Sequence, residues 1–234
     1  MEESPKLSTP QHDKAYVTII GANNHPVVKR FFWNGAKLES DHSAYITSGY
    51  AQTIEATDPK SLMRIIAGLA PNEALALGVL PKYDHRYTLV THDRQTVTSI
   101  ARTKEFFQFP QGPGWMLLDL DAKDLPDEII HRVADRHLFD VILEAVPELR
   151  SAAYILRPSS SAGITLPDGT QNPATGFHVW VLVQEANRIP DILKTISDVL
   201  WSRGLGFIKV SKSGSLLERT LIDLAVGSPE RLIF

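Results

Sequence analysis

Residues 115–121 read Trp-Met-Leu-Leu-Asp-Leu-Asp, preceded by Gly112-Pro-Gly114. An apolar run of this length entered through a glycine-proline turn predicts a strand, Trp115 to Asp121. Strand side chains alternate, so Asp119 and Asp121 project from one face while Leu118 and Leu120 point to the other. At strand rise the two aspartate Cα atoms stand roughly 6.5 Å apart. From there two carboxylates reach a pair of metal ions about 3.5–4 Å apart.

Downstream, an amphipathic helix is expected over 126–146 and a second strand at Ala152–Leu156. A Gly/Pro/Asn/Thr-rich excursion over 159–176 leads into a third strand, Phe177–Val183. Pro190 then opens a helix bearing Ile192, Leu193, Ile196, Val199 and Leu200, and Gly204 closes it before a fourth strand at Phe207–Val210. The order β-α-β-β-α-β is that of split-βαβ, ferredoxin-like and RNA-recognition folds. There the first and third strands are neighbours and both helices cover one face, leaving the other for a site. His178, Trp180 and Leu182 share one face of the third strand and Val179, Val181 and Val183 the other. With helices on the valine face, His178 looks toward the carboxylates.

Upstream, Phe106–Gly114 is punctuated by two prolines and two glycines and predicts a connection between lobes, with a boundary near 110. The N-terminal lobe, 15–110, carries expected strands at Tyr16–Ile20 and Val27–Trp33 with a turn at 21–24, and another at Tyr87–Val90. Asp58-Pro59 supplies a cap and a first-turn proline for a helix whose apolar face is Leu62, Ile65, Ile66 and Leu69. Residues 1–14 are polar and predict a flexible tail. The expected fold class is α/β (α+β), with two lobes and a βαββαβ module over 111–234.

The 234 residues contain no cysteine, which excludes disulfides, zinc ribbons and thiol nucleophiles and leaves oxygen or imidazole as metal donors. No apolar run approaches the roughly 20 residues of a membrane span and no signal segment opens the chain, so a cytoplasmic protein without membrane contact is expected. The net charge of −3 gives nucleic acid no whole-molecule attraction, so any such binding needs local patches. From Asp119 to Glu148 nine acids face three bases, and from Arg203 to Arg231 five bases face three acids, separating a cation-seeking region from a phosphate-seeking one.

Taken alone, an Asp-x-Asp at a strand end is often solvated, and His178 alone reads best as a hydrogen-bonded core histidine. Asp223 is different: it interrupts the apolar run Thr220–Val226, where an unpaired carboxylate is costly. Its partner is either a metal or one of Arg219 and Arg231.

Three of these strings together resemble the archaeo-eukaryotic primase superfamily. Leu117–Asp121 resembles its hydrophobic-Asp-hydrophobic-Asp motif, Gly176-Phe-His178 its small-x-His motif, and Ile222-Asp223 its hydrophobic-Asp motif, in the family's order. Arg157–Gly163, Leu217–Asp223 and Ser228–Leu232 are similar to segments of primase domains in phage, plasmid and integrated-element replication proteins. The resemblance covers about residues 100–234.

It implies a primase-polymerase fold and a DNA-dependent primase or polymerase acting by two-metal nucleotidyl transfer. Asp119, Asp121 and Asp223 would hold two Mg2+ or Mn2+ ions without zinc, and His178 would contact the incoming NTP or dNTP. Arg157, Ser159, Ser161 and Arg231 are candidates to assist, as are Lys209 and Lys212, for which a solvated lysine is an equal reading. The implied partners are single-stranded template and primer and, since such domains commonly continue into further modules, a helicase domain of a longer protein. Phe106, Phe107 and Phe109 suit base stacking or core packing. The rival readings are a ferredoxin-like single-strand-binding module with Trp180 as stacking platform, and another two-metal enzyme, a cyclase or nuclease.

Overall fold

In a computed structural model that describes residues 13–42, 45–83, 85–122, 125–133 and 136–233, the N-terminal half is organised around one buried strand. Val17 and Ile20 of β1 (Tyr16–Ala22) are fully buried. A hairpin of β2 (Lys29–Trp33) and β3 (Leu38–His42) follows, then β4 (Ser48–Glu55), α1 (Pro59–Gly68), β5 (Glu73–Ala76), β6 (Arg86–Val90) and β7 (Ser99–Ala101). The five-stranded sheet has the order β5-β1-β4-β6-β7. The 21–24 turn thus does not pair β1 with β2: β1 lies antiparallel between β4 and β5, and β2 pairs only with β3. α1 starts where its cap predicts. Asp58 Oδ1 accepts the Ser61 amide at 2.7 Å while Ser61 Oγ accepts the Asp58 amide at 3.1 Å, and Leu62 turns into the core. Residues 1–12 of the expected tail lie outside the described residues.

The C-terminal half runs β8 (Gly114–Asp121), α2 (Asp127–Val133), α3 (Leu138–Ala145), β9 (Tyr154–Pro158), β10 (Gly176–Val183), α4 (Ile189–Ser202), β11 (Phe207–Val210) and β12 (Leu216–Arg219). The single helix expected over 126–146 is two helices. His137 is extended, and its Nδ1 caps α3 by accepting the Phe139 amide at 3.2 Å, which starts α3 as a separate helix. α4 ends as expected, with Gly204 at φ 70° and the Leu205 amide returning to the Leu200 carbonyl at 2.9 Å.

The sheet here has three strands, β8-β10-β9, not four. β11 turns back through residues 211–215, with Gly214 at φ 83°, and pairs with β12 instead. The free edge of β8 is met by Ile222, which bridges Leu120.

The sheet face expected to be open is mostly covered. Trp115 and Leu117 of β8 and Trp180 of β10 are buried at 1–2% exposure. One apolar cluster joins them to Val17, Leu62 and Leu75 of the N-terminal half, and Trp115 Nε1 donates to the Ala56 carbonyl at 2.7 Å. The core therefore runs across residue 110. The chain's end straps the two sheets together, Leu75 and Ile233 exchanging backbone hydrogen bonds at 3.0 and 2.8 Å. The end of the face beyond Leu117 emerges at Asp119 and Asp121, with His178 beside them. The architecture is mixed α+β, and no helix among the described residues is long and apolar enough to cross a membrane.

Candidate active site

Three separated strings meet at that emerging edge. In the β8–β10 register His178 stands opposite Asp119, its Nε2 3.4 Å from Asp119 Oδ1. On the other side of β8 the Asp223 amide donates to the Asp119 carbonyl at 3.1 Å. Asp223 has both structural partners available to a carboxylate at this place: Oδ1 accepts the Ala225 amide at 3.0 Å and Oδ2 lies 3.2 Å from Arg231 Nη2. Of the two arginines considered for it, Arg231 is the one it meets.

The electrostatics follow from burial and crowding. Burial pushes the Asp119 carboxyl above its ordinary range; His178 opposes that shift, while Asp223 and Asp121 add to it as like charges. Burial likewise pushes His178 below the ordinary imidazole value, against the pull of Asp119 and with help from Arg157 and Lys29. At neutral pH His178 is thus an uncharged imidazole. Arg157 occupies the β9 position opposite His178, so it shares that face.

A cleft of about 410 Å³ opens over Asp119, Asp121 and His178; Arg157, though opposite His178 in the register, does not line it. Ser159 and Ser161 form its loop wall, their Oγ atoms 3.2 Å apart, and Arg231, Asn172 and Thr175 complete it. The Ser159 amide donates to the Gly176 carbonyl at 2.8 Å. A Cβ on Gly176 would stand 3.0 Å from the Leu120 carbonyl oxygen and 3.4 Å from Ser159 Cβ, so a side chain there would press first on the β8 backbone beside Asp121.

The opposite wall was not foreseen. The β2–β3 hairpin contributes Lys29, Phe31, Leu38, Glu39 and Ser40. Alternation puts Lys29, Phe31 and Trp33 on one hairpin face, but no local pattern says that this face meets residues about 150 positions away.

A second, smaller depression of about 220 Å³ lies on the far side of the carboxylates, lined by Asp119, Asp121 and Asp223 together with Phe207, Lys209 and Arg219. Lys212, in the β11–β12 turn, lines neither cavity. Phe107 and Phe109 are core residues and Phe106 packs half-buried against that core, which excludes base stacking by the first two. Trp180 is 2% exposed and offers no face to a base, because it is packed into the apolar cluster that the two halves share.

The donors suit hard divalent ions: carboxylate oxygens with no thiolate, crowded enough that Asp223 and Asp121 add to the raised proton affinity of Asp119. Among the described residues no three His, Asp or Glu side chains form a closed cage for a metal ion, so the fit rests on adjacency of donors. No protein-family model, curated protein or solved structure matches this chain.

Proposed function

We propose that the chain is a nucleotidyltransferase of the primase-polymerase type, joining nucleotides on a DNA template. The observation that carries this reading is the meeting of Asp119, Asp223 and His178, from three distant strings, around one strand position. Asp119, half-buried with Asp121 and Asp223 acting on it as like charges, is more favourably placed with a cation bound, which favours a site that works with one.

In the reaction the strand's 3′ hydroxyl oxygen bonds to the α-phosphorus of a nucleoside triphosphate. The bond from that phosphorus to the bridging oxygen breaks, pyrophosphate departs, and the hydroxyl proton passes to solvent. Two Mg2+ or Mn2+ ions on Asp119, Asp121 and Asp223 would activate the attacking oxygen and stabilise the leaving group. The chain's own contribution is orientation. His178, uncharged and fixed opposite Asp119, presents a ring N–H to a phosphate oxygen. Ser159 and Ser161 offer hydroxyls, and Arg157 and Arg231 offer forked donors suited to phosphate. The buried Trp180 weakens the stacking-module alternative.

The test is incorporation of labelled nucleotides on a primed single-stranded template with Mg2+ or Mn2+. Extended product supports the reading. Template binding without extension, a cyclic nucleotide, or loss of strand would each replace it, by a binding module, a cyclase and a nuclease respectively.

A further inference from the structure

Asp119 and Asp121 belong to the walls of both cavities, whereas Ser159, Ser161, His178 and Arg231 line only the larger, and Lys209, Arg219 and Asp223 only the smaller. The carboxylates are thus a partition between two unlike spaces. The larger, about 410 Å³, falls within the range of small-molecule sites and sets hydroxyls, the Lys29 and Arg231 cations and the Phe31 ring beside the Asp119, Asp121 and Glu39 carboxylates, a lining that suits a polyphosphate with an aromatic base carried in with divalent cations. The smaller, about 220 Å³, is too small for such a ligand.

The structure assigns the smaller depression to the end of a nucleic-acid strand, the 3′-hydroxyl terminus of a primer, held by Lys209 and Arg219 of the β11–β12 hairpin. This rests on the nucleotidyl-transfer reading for the identity of the terminus. The hairpin register supports it: Phe207 lies opposite Arg219 and Lys209 opposite Leu217, so both cations and Phe207 share the face turned to the carboxylates. Ile208 and Val210 take the reverse face and are exposed. A strand phosphate can meet the exposed Lys209 and Arg219 while the strand continues outward along the hairpin, which is not part of any larger sheet. In-line displacement requires attacking and leaving oxygens on opposite sides of the phosphorus. A triphosphate seated in the larger cleft therefore has to be attacked from across the partition, where this depression lies.

Lys209→Ala and Arg219→Ala, both at exposed positions, test the assignment. A fluorescein-labelled primer annealed to a longer template is titrated by anisotropy across salt concentrations, and nucleotide KM is measured at saturating DNA. Each variant is expected to weaken DNA binding about threefold to tenfold and to flatten the log Kd against log salt slope by about one. Nucleotide KM should stay within about twofold, whereas Lys29→Ala, in the other cleft, should raise nucleotide KM and leave DNA affinity alone. DNA affinity unchanged in both variants, or a raised nucleotide KM in place of weakened DNA binding, overturns the assignment. If the wild-type chain extends no primer yet its DNA binding still depends on Lys209 and Arg219, the strand site stands and the catalytic reading falls.

Discussion

The Asp223 amide donates to the carbonyl of Asp119 at 3.1 Å. A backbone bond of this kind does more than a side-chain contact to set the distance between two carboxylates, because it positions both Cα atoms before either side chain chooses a rotamer. The Leu120–Ile222 bridge beside it extends the β8 edge by one strand position. The segment that ends in the Arg231–Asp223 pair is in turn anchored to the N-terminal sheet through Leu75 and Ile233. The site is therefore built where the two halves of the core close on each other.

Asp119→Asn should abolish nucleotide incorporation and leave the fold intact or firmer. Asp119 is half-buried beside two like charges, so neutralising it removes repulsion and desolvation while keeping its shape. A gain on the order of 1 kcal/mol corresponds to about 2–4 °C in Tm for a chain of this size. Asp121→Asn, at an exposed position, should also lose incorporation but leave Tm within about 1 °C. Incorporation near the wild-type rate in either variant removes the aspartates from the mechanism.

The same pair sets a pH dependence whose two parts have opposite signs. His178 is held below its ordinary value of about 6.5, so its contribution to stability is present above that pH. It is lost as pH falls, because the unfolded chain then gains a proton that the fold refuses. Asp119 is held above its ordinary value, so its contribution is present at acid pH and is lost as pH rises through the elevated value. His178→Gln should remove the first part only. The Tm of wild type minus that of His178→Gln should shrink between pH 7.5 and 5.5, and a difference that grows with acid would reverse the assigned sign.

Alternation and capping made much of the C-terminal half legible: β8, β10 and α4 lie where the Asp-x-Asp, His178 and Pro190–Gly204 patterns put them. What sequence patterns missed was set over long distances. Trp180 alternates with His178 like any exposed strand residue, and nothing near it reports that it is packed into a core shared with the N-terminal half. β11 has a strand's composition, but its pairing with β12 is a choice of partner that composition does not encode. The break between α2 and α3 was signalled by the polar stretch ending at His137, though a histidine accepting an amide is a weak cap signal. Lys29 and Phe31 belong to the site only through tertiary packing.

Arg231→Gln separates the two readings of Asp223. The Arg231–Asp223 pair is exposed on both sides, so as a structural contact it contributes at most about 1 kcal/mol. Tm should therefore fall by no more than about 2–4 °C. If Arg231 also holds phosphate, nucleotide KM should rise about tenfold with DNA affinity unchanged. A normal KM would confine Arg231 to holding Asp223.

His178→Ala sets a core role against a nucleotide-seating role in one substitution. Its Nε2 lies 3.4 Å from Asp119 Oδ1, a long contact for a hydrogen bond, and the ring stays partly exposed at the cleft mouth. The structural contribution is accordingly small, about 0.5–1.5 kcal/mol, or a few degrees in Tm. If the imidazole donates to the triphosphate, its loss instead appears at the chemistry: nucleotide KM rises or kcat falls by tenfold or more, and template affinity is unchanged. The position decides between these outcomes. His178 is placed by the β10 register against Asp119, whereas Trp180, two residues on and on the same face, is buried in the core that the two halves share. The fold thus leaves open the one position on this face of β10 that borders the carboxylates. A variant with a markedly lowered Tm and unchanged kinetic constants would assign His178 to the core and end its nucleotide role.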